Sequence, residues 1–290
     1  MLATLPYETV TFLPYYIGKE AGFFKQEGAE LDYLYTLSGG VEGGKRKTVD
    51  LCASGDALFF TSVSTAIEAR VLGWADVKAL AASNTRGSSM FARPSIQSAA
   101  DLRGKRVMTG GGASRNEILY LAQLNRWEIG KDLVLVPGDE VARAKAFADA
   151  NIDAVCGRML YKTYADQHGF HVFHLPGAVW HDGGLCTSAE TIERKPDLVQ
   201  AVVNGFVRAI GFIRSNKAEA VKIGARNIRW LNEAEVANHY DNMEFTADIT
   251  EQGLAWMAGL LRLAKQSARQ EDPRNAADLR FLRQAKEKYP

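Results

Sequence analysis

Charge of one sign is what this chain lacks most clearly. Its 35 lysines and arginines face 34 acidic residues, so no basic surface offers itself to nucleic acid or an anionic membrane. Cysteine is also scarce. Cys52, Cys156 and Cys186 are too few and too scattered for a disulfide framework or a zinc site, and their apolar, strand-like settings read as buried thiols. No hydrophobic run could span a bilayer, because the most apolar long segment, Leu198–Ile213, is interrupted by Gln200, Asn204 and Arg208. Tandem repeats and low-complexity tracts are missing. So is any nucleotide loop: the run Gly110-Gly111-Gly112 has neither the Gly-Lys-Ser/Thr ending of a P-loop nor the G-x-G-x-x-G spacing, and no cofactor is expected. Met1 leads almost directly into a strand-like stretch without a leader pattern. The expectation is cytoplasmic if Met1 is the native start, and periplasmic or lipid-anchored outside the cytoplasm if a leader was removed.

What is present is ordinary globular material. The 290 residues are 47% hydrophobic and 24% charged, enough for two domains or one large one. Strand patterns at Glu8–Phe12, Glu30–Thr36, Asp56–Phe60 and Val77–Ala82 alternate with helix patterns at Tyr15–Ala21, Lys45–Ala53 and Thr61–Leu72. Pro14 suits a first helical turn, Gly22 a helix stop, and Thr61 or Ser62 a helix cap. After the polar turn Ser83–Ser89 a second β/α run begins. It comprises strands Met90–Arg93, Lys105–Thr109, Leu133–Val136, Asp153–Cys156 and Phe170–His174, with helices Ser114–Arg126, Glu140–Asp149 and Met159–His168 between them. Beyond the turn-rich His181–Gly184 and a last strand at Leu185–Ser188, the chain reads as helical: Pro196–Ser215, Lys217–Asn227, Glu233–Asp241, Thr250–Gln266 and Ala276–Lys288. Asn216 with Glu219, and Asn232 with Glu235, have cap spacing.

The alternation predicts an α/β fold with parallel sheets. Two β/α lobes are joined by two crossover strands and followed by a helical C-terminal tail. Residues 1–88 plus 188–290 form the first lobe, and 89–187 form an inserted second lobe. Two crossings make a hinge, at Ser83–Ser89 and Gly183–Ser188, with a cleft between the lobes. Ligands of open α/β sheets bind beyond the carboxyl ends of the strands, which nominates the loops there. From the first lobe these supply Ser38, Gly39, Phe60, Thr61, Ser83 and Asn84. From the second they supply Gly111, Gly112, Ala113, Ser114, Arg115, Arg158 and Met159, and from the second connection Trp180 and His181.

Each nomination has a chemical reason. Gly110–Ala113 bring bare backbone N–H groups to the positive end of a helix, which Ser114 and Glu117 have the spacing to cap. Arg115 and Arg158 could each hold a carboxylate or sulfonate as a bidentate fork. Tyr15 or Tyr16 could stack on a flat ligand, or one of the pair could pack into the core, and Trp180 could wall an aromatic box or equally plug the hinge. His168, His171 and His174 do not converge on a strand, so no metal is expected, and no catalytic residue is assigned.

Four motifs carry a resemblance. Pro14 to Gly28, PYYIGKEAGFFKQEG, resembles the opening of the periplasmic substrate-binding proteins for sulfonates, taurine, nitrate and the pyrimidine precursor of thiamine, with Gly18 in place of the usual alanine. Asp101 to Val107, Ile152-Asp153-Ala154 and Pro196 to Val199 are similar to that family's later motifs, in the same order. The resemblance implies the type II periplasmic-binding-protein fold. It also implies a receptor that passes a small polar or aromatic organic molecule, anionic in some relatives, to a permease and ATPase of an ABC importer. The membrane would be met only through the permease. The same fold also carries enzymes, including a sulfinate desulfinase with a cysteine nucleophile, a pyrimidine-forming enzyme with an active-site histidine and a chorismate-processing enzyme. No cysteine lies just after the first strand here, which leaves Cys156 beside Arg158, or His181 with Asp182, as the catalytic alternatives.

Overall fold

The computed structural model describes residues 1–5, 8–36, 41–85, 89–110, 113–138, 140–157, 161–174, 181, 183–264 and 271–290. In chain order the first elements are β1 (Leu2–Leu5), α1 (Leu13–Glu20), α2 (Phe23–Gln26), β2 (Asp32–Tyr35), α3 (Val41–Ser54), β3 (Phe59–Thr61), α4 (Val63–Leu72) and β4 (Val77–Ala82). Then follow β5 (Ser89–Ala92), β6 (Arg106–Thr109), α5 (Ala113–Leu124), β7 (Val134–Pro137), α6 (Glu140–Lys145), β8 (Ala154–Gly157), α7 (Lys162–Gln167) and β9 (His171–His174). The chain closes with β10 (Gly184–Ser188), α8 (Ala189–Arg194), α9 (Pro196–Ser215), α10 (Lys217–Asn227), α11 (Glu233–Asp241), α12 (Glu251–Ala264) and α13 (Arg280–Lys288). Among the described residues no helix is long and apolar enough to cross a membrane.

Packing divides the chain into two units, Met1–Arg86, His181–Ala258 and Arg269–Pro290 in the first, Gly87–Trp180 and Gly259–Ala268 in the second. The division departs from the expected 1–88 plus 188–290 and 89–187 in three places, the first being residues 87–88, which go with the second unit. Residues 181–187 go with the first unit, because β10 pairs antiparallel with β3 and β4 and completes that unit's sheet. Residues 259–268 of the tail go with the second.

The first unit's sheet has the order β2-β1-β3-β10-β4, with β1 parallel to both β2 and β3. The expected strand at Glu8–Phe12 is not one. The first strand is Leu2–Leu5, and Val10–Phe12 makes a single 3-10 turn that leads into α1. Pro14 in the first turn of α1 explains this, since its fixed φ commits the chain to helix two residues after Phe12. The core lies between the sheet and α1, α9, α10 and α13. Tyr15, Ile17, Val199, Val202, Val203, Phe206 and Ile213 are all fully enclosed in it. Phe24 sits against both Gly18 of α1 and Gly205 of α9, where a Cβ would lie 2.4 Å and 2.5 Å from its ring. Gly18, the departure from the family motif, thus leaves room for a phenylalanine of the same motif.

Helix ends show which local signals hold. Ser62 caps α4 by accepting from the Thr65 N–H at 3.2 Å, while Thr61 belongs to β3. Asn232 and Glu235 form the reciprocal capping box of α11. Asn216 precedes α10 without a side-chain cap bond and instead turns back to the Phe212 carbonyl.

The C-terminus is tied to α2 through Glu27. Its carboxylate accepts from Asn204 at 2.9 Å, from Arg208 at 3.1 Å, from Lys288 at 2.9 Å and from the Tyr289 hydroxyl. Burial pushes Glu27 up, but the donations from Tyr289, Lys288 and Asn204 outweigh it and hold the carboxyl down to about 2, against an ordinary 4.5. A depressed carboxyl stabilises the fold above its unfolded pKa and loses that contribution as pH falls through the folded one. Glu27→Gln should therefore lower stability by about 2 kcal/mol at neutral pH, with the difference shrinking as the pH drops from 4.5 toward 2. Urea titrations of both proteins at neutral and acid pH measure it.

The second unit's sheet has the order β7-β6-β8-β5-β9. β6 is parallel to β7 and β8, and β5 runs antiparallel to β8 and β9. Val107, Ile118, Ala154 and Cys156 are buried on one side, and Phe91, Phe147, Val155 and Tyr161 on the other. The helix expected at Ser114–Arg126 is α5. Ser114 lies inside it rather than ahead of it, and its hydroxyl accepts from Thr109 Oγ1 at 3.2 Å, so it is not the cap.

Candidate functional site

In the first unit the nominated residues gather at one end of the sheet. β1, β2 and β3 are parallel, and β10 enters antiparallel, so the start of β10 meets the carboxyl ends of the others. Tyr15 is fully buried, and its hydroxyl donates to the Gly184 carbonyl at 2.9 Å and lies 3.5 Å from that of Phe60. It therefore holds α1 to the sheet. Tyr16 is buried as well, edge-on to Tyr33. Ser83 and Asn84 are likewise buried. Ser83 Oγ donates to Asn84 Oδ1, the Gly183 N–H donates to the same oxygen at 3.2 Å, and the Ser83 N–H donates to the Gly183 carbonyl. Both residues fasten the return of the chain into β10. The Thr61 hydroxyl is enclosed at the end of β3 with no hydrogen-bond partner among the described residues, and Ser62 next to it holds φ at 132°. A non-glycine residue in that region stores about 1–3 kcal/mol of strain, and such strain concentrates at ligand clamps.

His181 is fully buried. Its Nε2 accepts from the Thr250 N–H at 3.2 Å, one residue before α12, and its backbone N–H points at the Met257 sulfur. Gly253 makes room for the ring, because a Cβ there would stand 2.5 Å from Nε2. Burial holds the imidazole down to about 4, against a smaller upward pull from the Asp248 carboxylate. The neutral ring is the form that can accept. Its contribution is complete above an unfolded pKa near 6.5 and is lost as pH falls toward 4. Unfolding titrations of the wild type should show stability declining across that window. His181→Gln, whose amide oxygen accepts the same N–H without titrating, should flatten the decline.

In the second unit the carboxyl ends of β6 and β8 lie side by side. Ala113 opens α5 there, Ser114 is buried, and the Cys156 thiol donates to the Ser114 carbonyl at 3.5 Å. Arg115 is exposed. A residue not nominated from sequence occupies this end. The Arg143 guanidinium lies where a Cβ on Gly110 would be, 2.9 Å from Cζ, and 3.2 Å from a Cβ built on Gly157. It also stacks 5.0 Å from the Tyr161 ring centroid, and its Nη1 donates to the Cys156 carbonyl at 3.5 Å. The sequence signal was the pair of glycines ending two adjacent strands. Ser38, Gly39, Gly111, Gly112, Arg158, Met159 and Trp180 lie outside the described residues.

All three cysteines are buried as free thiols. Burial pushes Cys52 up to about 12 and holds Cys186 well above the usual thiol range, so neither offers a thiolate at neutral pH. Among the described residues no group of three His, Cys, Asp or Glu side chains could hold a metal ion.

A family model described as NMT1/THI5 like matches residues 9–220, well over half of the chain. This chain belongs to the NMT1/THI5-like family. No curated protein matches it. Solved structures do. The periplasmic aliphatic sulphonate binding protein SsuA from Escherichia coli is similar with a TM-score of 0.73 and 16% identity, over 96% of each chain. The alkanesulfonate-binding protein SsuA from Xanthomonas axonopodis pv. citri, bound to MOPS, has a TM-score of 0.69 at 14% identity, over 96% of this chain and 98% of that one. The desulfurization enzyme DSZB has a TM-score of 0.65 at 17% identity, over 99% of this chain and all of that one. At such identities these likenesses show the fold. The NMT1/THI5-like chain has the α/β periplasmic-binding-protein fold, and its described residues form two five-stranded sheets, each carrying one antiparallel strand in its interior.

Proposed function

We propose that this chain is the solute-binding receptor of an ABC importer. It captures a small polar or aromatic organic molecule outside the cytoplasm and delivers it to a membrane permease driven by its ATPase. The observation that carries the reading is the end-to-end likeness to two sulfonate-binding proteins within a family whose model matches the chain. Ligand contacts are assigned to the strand ends: Thr61 from the first unit, Ala113 and Ser114 from the second, while Ser83, Asn84 and His181 hold the fold beside them. The mechanism is hinge closure. A ligand that touches both units favours the closed form by its differential affinity, and release follows reopening at the permease.

An enzyme on the same scaffold is the second reading, favoured by the likeness to DSZB. Against it stand the enclosed thiols of Cys52 and Cys186, since a nucleophilic cysteine needs a stabilised thiolate and access.

A thermal-shift panel of aliphatic sulfonates, aromatic acids and pyrimidines tests the receptor reading. A ligand at about 100 times its Kd raises stability by about 2.7 kcal/mol. At least one class should give such a shift without being altered. No shift from any class, or turnover of the shifting compound, overturns the reading.

A further inference from the structure

Resting on that receptor reading, we infer that α12 is a helical strap in the closing motion and that Gly259 is its flexion point. The chain changes unit after Arg86, Trp180, Ala258 and Ala268. The first two passages lie in or beside the turn-rich stretches 83–89 and 181–184. The third falls inside a helix. Of the fourteen residues of α12, 251–258 belong to the first unit and 259–264 to the second. When two units move, a helix shared by both must carry them as one rod or bend where it changes unit.

The first part of the rod is fixed. Thr250 stands just ahead of α12, and its hydroxyl accepts from the Gly253 N–H at 3.0 Å, a capping bond. The Thr250 N–H donates to His181 Nε2 at 3.2 Å. Two turns further along, the Met257 sulfur lies 3.4 Å from the His181 backbone nitrogen. Leu254, Met257 and Ala258 are buried. His181 is also the residue with which the chain re-enters the first unit. One imidazole thus clasps the return of the chain to the first two turns of α12.

Gly259 is where that hold ends. Inside a helix, glycine lowers the local folding equilibrium about two- to fivefold against alanine, because it gives up the most backbone freedom. Packing explains the other helical glycines. Gly18 and Gly205 admit Phe24, Gly224 admits Val236 and Gly253 admits His181, each with a side-chain atom 2.8 Å or less from where a Cβ would be. At Gly259, apart from its chain neighbours and the backbone of its own helix, nothing lies within 4 Å of that position. No neighbour claims the space, so what glycine supplies there is freedom of the backbone, and hinges absorb their dihedral changes at a few such residues. Gly211 in α9 is equally open, but it is exposed and lies well inside the first unit, which makes it the control.

The test uses the intact chain without solute. All three native cysteines are buried, so nitroxide labels go to two exposed positions, Lys222→Cys in α10 of the first unit and Gln167→Cys in α7 of the second. Double electron–electron resonance then reads the distribution of distances between them. The wild type should give a broad distribution. Gly259→Ala, whose methyl group meets no neighbour, should fold normally and narrow it. Hydrogen exchange of the amides at 260–263, whose helical bonds span the joint, should slow about two- to fivefold. Gly211→Ala should stiffen α9 and leave both readings at their wild-type values. A narrow wild-type distribution, or one that Gly259→Ala leaves unchanged or broadens, overturns the inference. No solute enters this test, so its failure is separate from that of the thermal-shift panel, which judges the receptor reading.

Discussion

Replacing Phe206 with alanine should destabilise the first unit by about 3–5 kcal/mol, the usual penalty for emptying a large aromatic site in a packed interior. Phe206 is fully buried, and its ring meets the Tyr15 ring at 5.1 Å and 72°, an edge-to-face contact. Tyr15 in turn touches Phe12 and Tyr33 in the same manner, receives the Tyr33 hydroxyl on its backbone carbonyl and anchors its own hydroxyl on Gly184. The ring of Phe206 therefore supports the residue that joins α1 to β10. Phe24 fills the space beside Gly205 and Gly18, where an added Cβ would lie 2.5 Å and 2.4 Å from its ring, so this part of the core is closely packed. Urea unfolding of the intact chain measures the change. A loss below about 1 kcal/mol would mean that this site is far looser than its burial implies.

Gly184→Val is expected to cost about 3 kcal/mol or more, at the upper end for overpacking. A Cβ at residue 184 would meet the Ala81 carbonyl oxygen at 2.3 Å, Val63 Cγ2 at 2.6 Å and Ala82 Cα at 3.0 Å. Two of those atoms belong to the backbone of β4, which is held in its ladder and cannot turn aside as a side chain would. The strand must then lift away from β4 at the point where the pairing already shifts, between Leu185 and Cys186. Because β10 lies between β3 and β4, separating it divides the sheet. A Gly184→Val protein with wild-type melting temperature and yield would show that β10 does not pack against β4 as described.

These two sites also show how far the sequence can be read. The helix Pro196–Ser215 was legible from its apolar period, because a helix buries one face. Pro14, Ser62 and the Asn232–Glu235 pair were legible because caps and first turns are decided within four residues. Glu8–Phe12 misled because alternation over five residues is satisfied by a strand and by a turn alike, and only the partner strands β2 and β3 select Leu2–Leu5. The membership of β10 was hidden for the same reason, since antiparallel pairing with β3 and β4 joins residues more than 100 positions apart.

The nominated site residues separate along a similar line. Strand order placed them at sheet ends, yet Tyr15, Ser83 and Asn84 spend their polar groups on the fold's own backbone. The place of Arg143 was not legible either, because a basic residue on a six-residue helix carries no local signature and only the fold brings it to Gly110 and Gly157.

The central claim of the proposed function is that this chain holds a small organic solute and returns it unchanged. The most direct measurement is to incubate the intact protein with an equimolar aryl sulfonate, aryl sulfinate or aryl carboxylate that shifts its melting temperature, denature it, and identify the small molecule by mass spectrometry. The account predicts one equivalent of the original compound, chemically intact however long the incubation. A compound consumed with time, or sulfite released from the sulfinate, would contradict it.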